Sequence, residues 1–189
     1  MNDLTIGFAL CGSFCTYQKA MAAMECLTRQ YNVIPIFSEA SWETDTRFGT
    51  AASHIQKAEA LCGRPPLHTV AEVEPIGPKN LLDALVIAPC TGNTLAKLSH
   101  GIADGPVTMA AKSHLRNGRP VLLAVSTNDG LGAAAENIGR LLNRRNIYFV
   151  PFGQDDPNHK PRSLVADFTQ LPDALAAALQ GHQLQPILL

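Results

Sequence analysis

The chain predicts a doubly wound α/β fold, a mostly parallel sheet with helices on both faces. Three observations point to it. Short continuous apolar runs recur along the 189 residues, as expected of strands buried on both faces. Stretches with helical spacing of apolar residues separate those runs. The runs also end on glycine, hydroxyl and amide residues, where such sheets collect their ligands.

Residues 4–10 (LTIGFAL) read as the first strand, ending at Cys11-Gly12-Ser13. A helix over 17–30 follows, with Ala20, Met21, Met24 and Leu27 on one face. A second strand over 33–37 ends at Ser38. Residues 47–61 read as a helix stopped by Gly63, with Pro65-Pro66 beyond. A short strand is expected over 68–70. The next strand, 84–88, runs into Pro89-Cys90-Thr91-Gly92-Asn93-Thr94 and a helix over 93–102. Residues 107–116 form a helix halted by Asn117-Gly118. Then come a strand over 121–125, a helix over 132–144, a strand over 147–150 and a helix over 172–179. Residues 151–162 (PFGQDDPNHKPR) are expected to be a polar loop, and 183–189 a tail.

Composition narrows the possibilities. At 46% hydrophobic and 16% charged, the chain has the balance of a globular protein, and its length suits one domain over residues 1–189. The net charge of −1 leaves no electrostatic footprint for nucleic acid or an anionic membrane. No apolar run reaches the roughly 18 residues of a membrane span. Met1-Asn2-Asp3 brings no basic residue ahead of the short run 4–10, so a secretory leader is not expected. Five cysteines, an odd number with no metal-type spacing, are expected as free thiols in a reducing cytoplasm. No metal site is expected.

The strand ends at Cys11-Gly12-Ser13, Phe37-Ser38, Ala88–Thr94 and Val125–Asp129 should share one rim. A glycine before a helix lets an anion approach unpartnered backbone N–H groups, and Ser13, Thr16, Thr91 and Thr94 can add hydroxyls. Without a Walker lysine or a GxGxxG, the pattern indicates a site for a phosphate-bearing ligand or mononucleotide. Other residues read as structural. His54 and His114 are expected on helices in solvated or core-edge positions, and His100 near a helix end. Asp155-Asp156 before Pro157 reads as a turn. Arg140, Arg144 and Arg145 read as a solvated helix face, and Cys90 as packing. Lys160 and Arg162 are the basic candidates for a carboxylate.

Pro89-Cys90-Thr91-Gly92-Asn93-Thr94, followed by Ala96-Lys97-Leu98 and Gly101-Ile102-Ala103-Asp104, resembles the PASANT-x-AK-x-x-x-GIAD signature of the FMN-dependent cysteine decarboxylase flavoproteins. Pro89, Asn93 and Thr94 match outright. Gly12-Ser13 is similar to that family's first flavin loop, and Ser38 falls where its members place a hydroxyl near the FMN phosphate. The resemblance implies a Rossmann/flavodoxin-like fold of the flavoprotein decarboxylase type and a homo-oligomer built from trimers. It also implies FMN held at its phosphate end by Gly12, Ser13 and Ser38, with Thr91, Asn93, Thr94 and Ser126 along the ribityl chain and ring.

Longer motifs resemble the dipicolinate synthase B subunits of spore-forming bacteria: TRFG from Thr46, EPIGPK from Glu74, MAAKSHLRNGRPV from Met109, STNDGLG from Ser126, FVPFGQDDP from Phe149 and QLQPILL from Gln183. This resemblance implies a cytoplasmic protein of a sporulating mother cell, with an A subunit as partner carrying the NAD(P) site. It further implies an oxidoreductase that converts a dihydropyridine dicarboxylate to pyridine-2,6-dicarboxylate with NAD(P)+. Asn128, with Lys160 or Arg162, would then bind a substrate carboxylate. Two alternatives stand beside it: a binding subunit whose redox chemistry resides in the A subunit, and a cysteine decarboxylase. The decarboxylase histidine has Pro75 at its place, with His68 the nearest histidine. Of the PAMNxxMW clamp only Asn128 survives.

Overall fold

The computed structural model describes residues 3–189; Met1 and Asn2, part of the leader argument, lie outside them. In chain order the elements are β1 (Thr5–Leu10), α1 (Tyr17–Thr28), β2 (Asn32–Phe37), α2 (Glu39–Glu43), α3 (Ala51–Cys62), α4 (Val70–Val73), β3 (Ala84–Cys90), α5 (Gly92–His100), α6 (Pro106–Leu115), β4 (Val121–Thr127), α7 (Ala134–Leu142), β5 (Ile147–Phe149), β6 (Phe152–Gly153), β7 (Leu164–Ala166) and α8 (Leu171–Leu179).

β2, β1, β3, β4 and β5 pair in parallel, as the continuous apolar runs require. Every residue of β3 is buried, and β1 and β4 are buried except at one end. The helices pack over this sheet, α1 and α8 contributing Met21, Met24, Leu27, Leu171 and Leu175 to the core. α3 and α5 stop at Gly63 and Gly101, whose positive φ of 66° and 73° closes each last turn without a Cβ clash.

The structure revises several sequence expectations. The region 47–61 begins its helix only at Ala51, capped by Thr50, and the five-residue α2 precedes it. The strand expected over 68–70 is instead one bridge, Ile36 to Leu67. Thr69 then opens α4, because its hydroxyl and the Glu72 carboxylate cap one another's backbone. The polar loop is less irregular than expected. β6 lies within it and β7 just beyond it, and these two strands continue the sheet antiparallel from the end of β4. The tail 183–189 is also held. The Gln183 side-chain amide donates to Phe149 O (2.7 Å) and its carbonyl accepts from Phe149 N (2.8 Å), completing the edge of β5 as a strand would. Phe152 and Leu188 form a further bridge.

Burial explains the remaining corrections. His114 is 1% exposed rather than solvated, with Nε2 donating to Pro120 O at 3.1 Å. Its pKa falls to about 4, because burial disfavours the charged ring. His54 is buried edge-on to Tyr17. Arg144 leaves the expected solvated face and donates to Leu98 O and Ser99 O, closing the C-terminal end of α5.

Candidate functional site

The sheet order β2-β1-β3-β4 places a topological switch between β1 and β3. The loops after β1, β2, β3 and β4 therefore meet on one rim, where this architecture takes ligands. Gly92 explains why the β3 loop needs a glycine. A Cβ there would stand 2.9 Å from Thr127 Oγ1, so glycine lets the first turn of α5 approach the end of β4 without displacing that hydroxyl. Thr91 caps α5, accepting from Thr94 N at 3.2 Å while the two threonine hydroxyls lie 3.0 Å apart.

Ser38 caps α2 by accepting from Ser41 N at 3.2 Å. Ser41 Oγ donates its one proton to Leu10 O (2.9 Å), so Ser38 must donate across the 2.8 Å contact to Ser41 Oγ. Tyr17 OH donates to the same oxygen at 2.7 Å. Ser38 thus enters the site with its proton already committed. A phosphate oxygen takes that proton only by turning the hydroxyl away from Ser41.

Two cavities open on the rim and share Gly12 and Thr91. The first, about 350 Å³, is lined by Ser38, Thr91, Asn93 and Thr94 and by the start of α6 at Gly105–Thr108. The second, about 320 Å³, is lined by Ser13, Ser126, Thr127, Asn128, Lys19, Asp155 and Lys160. Each lies within the range of small-molecule sites. Between them, Ser13 Oγ and Ser126 Oγ are 2.8 Å apart. Thr16 Oγ1 donates to Ser13 O at 2.9 Å and lies 3.2 Å from Ser126 Oγ.

Nine of the ten residues expected at the site line one cavity or the other. Gly12, Ser38, Thr91, Asn93 and Thr94 line the first, and Ser13, Ser126, Asn128 and Lys160 the second. Arg162 lines neither; it is exposed, and its carbonyl accepts from Leu131 N. Sequence reasoning did not reach Lys19, Glu39 or the Tyr17–Ser41 pair. Lys19 carried a faint signal, since a cation in the first turn of α1 opposes the helix dipole.

The charges divide unevenly. In the first cavity Lys97 is held by Asp104 at 2.8 and 3.0 Å, and that pairing keeps the exposed Asp104 carboxyl below its usual range. Glu39 lines the same space, and a Cβ on Gly105 would lie 3.7 Å from its carboxylate. The Cys11 thiol is pushed up to about 11 by burial, partly countered by the Thr94 hydroxyl and the Thr91 backbone. It remains protonated and packs against the floor. Burial raises Cys90 likewise, in agreement with its reading as packing. All five cysteines are free.

A Rossmann-like sheet with hydroxyl-capped helices around two rim cavities defines a flavodoxin-like class of α/β protein. The chain belongs to the Flavoprotein family, which it matches over residues 1–169. Within that family it groups with the dipicolinate synthase B subunits. It is 47% identical to the dipicolinate synthase B subunit of Bacillus subtilis (strain 168), over 97% of this chain and 92% of that one. The crystal structure of the dipicolinate synthase B subunit from Bacillus halodurans C superposes with a TM-score of 0.90 at 45% identity, covering 98% of this chain and 96% of that one. The FMN-dependent cysteine decarboxylase SpaF shares the fold, with a TM-score of 0.67 at 21% identity, covering 94% and 95%.

These relatives overturn one expectation. The family that matches is Flavoprotein, and solved structures sharing the fold are FMN-dependent decarboxylases rather than NAD(P)-dependent oxidoreductases, so this chain is not itself read as an NAD(P)+-dependent oxidoreductase. The rim agrees in physical terms, because the β1 loop is the short turn Cys11-Gly12-Ser13 without a dinucleotide glycine pattern. Among the described residues no helix is long and apolar enough to cross a membrane.

Proposed function

We propose that the chain is the ligand-binding B subunit of a dipicolinate synthase, with the redox chemistry residing in a partner A subunit that carries the NAD(P). The observation that supports it most is the pair of rim cavities joined at Gly12 and Thr91. One is lined by the capping hydroxyls of Ser38 and Thr91, the other by amide and lysine groups. Together they suit a phosphate-bearing cofactor beside a small polar substrate.

The donor set of the first cavity fits FMN. Ser38 and Thr91, each at the start of a helix, with Gly12 between them, suit the phosphate end, and Asn93 and Thr94 the ribityl chain. Glu39 is the one discordant group, an anion that must point away from a bound phosphate. When bound, FMN supplies a two-electron ring, and the chain's own residues hold it and exclude water around it. Asn128 and Lys160 of the second cavity orient a carboxylate of the substrate. The same reading places the protein in the mother cell of a sporulating bacterium, as a homo-oligomer.

Titration of the purified chain with FMN, followed by absorbance and calorimetry, tests this reading, with FAD and inorganic phosphate as controls. Saturable FMN binding that Asn93→Ala weakens while the fold persists is the expected result. No FMN binding, with or without the A subunit, overturns the cofactor assignment.

A further inference from the structure

The second cavity holds one cation, Lys19, that the reading above leaves unused. Lys19 reaches it from the first turn of α1, and Lys160 from the loop after β6. Asp155 is the one acidic residue in its lining, so the lining carries net positive charge, whereas in the first cavity Lys97 and Glu39 balance. Lys19 has no hydrogen-bond or ion-pair partner among the described residues. Its charge is felt by Asp167, but that carboxylate is already taken by Thr169 and Gln170, whose hydrogen bonds hold it below its usual range. Lys160 sits 3.5 Å from Asp155, a long and half-exposed pair that exchanges easily.

The floor of the cavity can offer a hydroxyl donor to an anion. Thr16 donates to Ser13 O, so its own oxygen is free to accept. The Ser13–Ser126 pair can then point either way. If Ser13 donates to Ser126, lone pairs of Ser13 face the cavity; if Ser126 donates, the Ser13 proton is free for a guest. A carboxylate selects the second arrangement, in which the single Ser126 proton turns from Thr16 to Ser13, so the guest's hydrogen bond to Ser13 replaces the 3.2 Å Ser126–Thr16 contact.

We propose that this cavity is a dicarboxylate subsite in which Lys19 and Lys160 each take one carboxylate, Lys160 exchanging Asp155 for the guest. The proposal rests on the binding-subunit reading above and adds Lys19 as the residue that selects a doubly charged ligand over a singly charged one. A lone lysine suffices for a monoanion. Two lysines on separate elements reward a molecule with a carboxylate at each end.

The test is calorimetric titration of the full chain with pyridine-2,6-dicarboxylate and with pyridine-2-carboxylate, alongside FMN. The wild-type chain is expected to prefer the dicarboxylate. Lys19→Gln should weaken it about tenfold, the scale of one charge-assisted contact, and abolish the preference. Its FMN affinity and melting temperature should stay unchanged. Lys19→Arg should restore most of the preference, and Asp155→Asn should tighten binding. If the wild type binds FMN but Lys19→Gln binds the dicarboxylate as well as wild type does, the Lys19 assignment is overturned and the binding-subunit reading stands. If the wild type binds FMN but no dicarboxylate, the subsite is overturned. If it binds neither, both readings fall.

Discussion

The hydroxyls of Ser13 and Ser126 meet at 2.8 Å across the rim, from the loop after β1 to the end of β4. β3 lies between those strands, so the bond spans the Pro-Cys-Thr-Gly-Asn-Thr loop and ties the outer walls of the site together. Ser13 was expected at the phosphate and Ser126 along the flavin; the two hydroxyls also bridge one another. Ser126→Ala and Ser13→Ala should each lower stability by about 1 kcal/mol. The double variant should cost less than the sum, because either change alone breaks the pair. Denaturant unfolding of the three variants measures this.

The Ser38–Ser41–Tyr17 network predicts a two-part effect. Ser38→Ala removes an N-cap and, on the proposed function, a phosphate contact. It should cost about 1 kcal/mol in stability and weaken FMN binding roughly tenfold. Tyr17→Phe should lower stability while changing FMN affinity little, since the Tyr17 hydroxyl reaches Ser41 and not the cavity lining. Thermal melts and FMN titrations separate the two effects.

Two glycines should respond in opposite directions. A Cβ on Gly130 would stand 2.6 Å from Leu164 Cβ and Cγ, at the turn that seats β7 beside β4. Gly130→Ala should destabilise by about 1–3 kcal/mol through overpacking. Gly139 lies in the middle of α7 with nothing near its missing Cβ. Gly139→Ala should stabilise by about 0.5–1 kcal/mol through helix propensity.

His114 should make stability depend on pH. Burial lowers its pKa from 6.5 to about 4, so between those values the unfolded chain binds a proton that the native chain refuses. Its contribution is complete above about pH 6.5 and is lost as pH falls toward 4, amounting to about 3 kcal/mol over that window. In His114→Gln the loss of stability between pH 7 and pH 4.5 should be smaller than in wild type. Equal losses would assign the acid sensitivity to other groups.

Gln183 predicts the fate of a sheet edge. Its amide closes β5 with two hydrogen bonds to Phe149. Gln183→Ala should cost about 1–2 kcal/mol and leave an open edge that promotes self-association. Light scattering beside a thermal melt reads both.

The large pattern was legible because burial on both faces writes strands as unbroken apolar runs, and β1 to β4 fell within a few residues of where those runs lie. The pieces that escaped are short. β6 has two residues and β7 three, and their stability comes from pairing, β7 with β4 and β6 with β7, rather than from a periodic pattern of their own. Residues 68–70 read as a short strand, but Thr69 and Glu72 form a helix cap that overrides it. At the site, the residues on strand ends were found because topology puts strand ends together. Lys19 escaped because it sits on a helix face, and proximity across the fold leaves no trace in local spacing. Arg162 was included on charge and position; it is exposed and lines neither cavity, although its carbonyl is bonded to Leu131 N in the loop after β4.

The division of labour between the two proteins of the synthase is the central claim, and one measurement tests it most directly. The purified chain, the A subunit and their mixture are each given a dihydropyridine dicarboxylate and NAD(P)+, and formation of pyridine-2,6-dicarboxylate is followed by its ultraviolet absorbance. The account predicts no turnover by this chain alone, and turnover by the mixture that falls when Lys19→Gln replaces the wild-type chain. Aromatic product formed by this chain in the absence of the A subunit would contradict it.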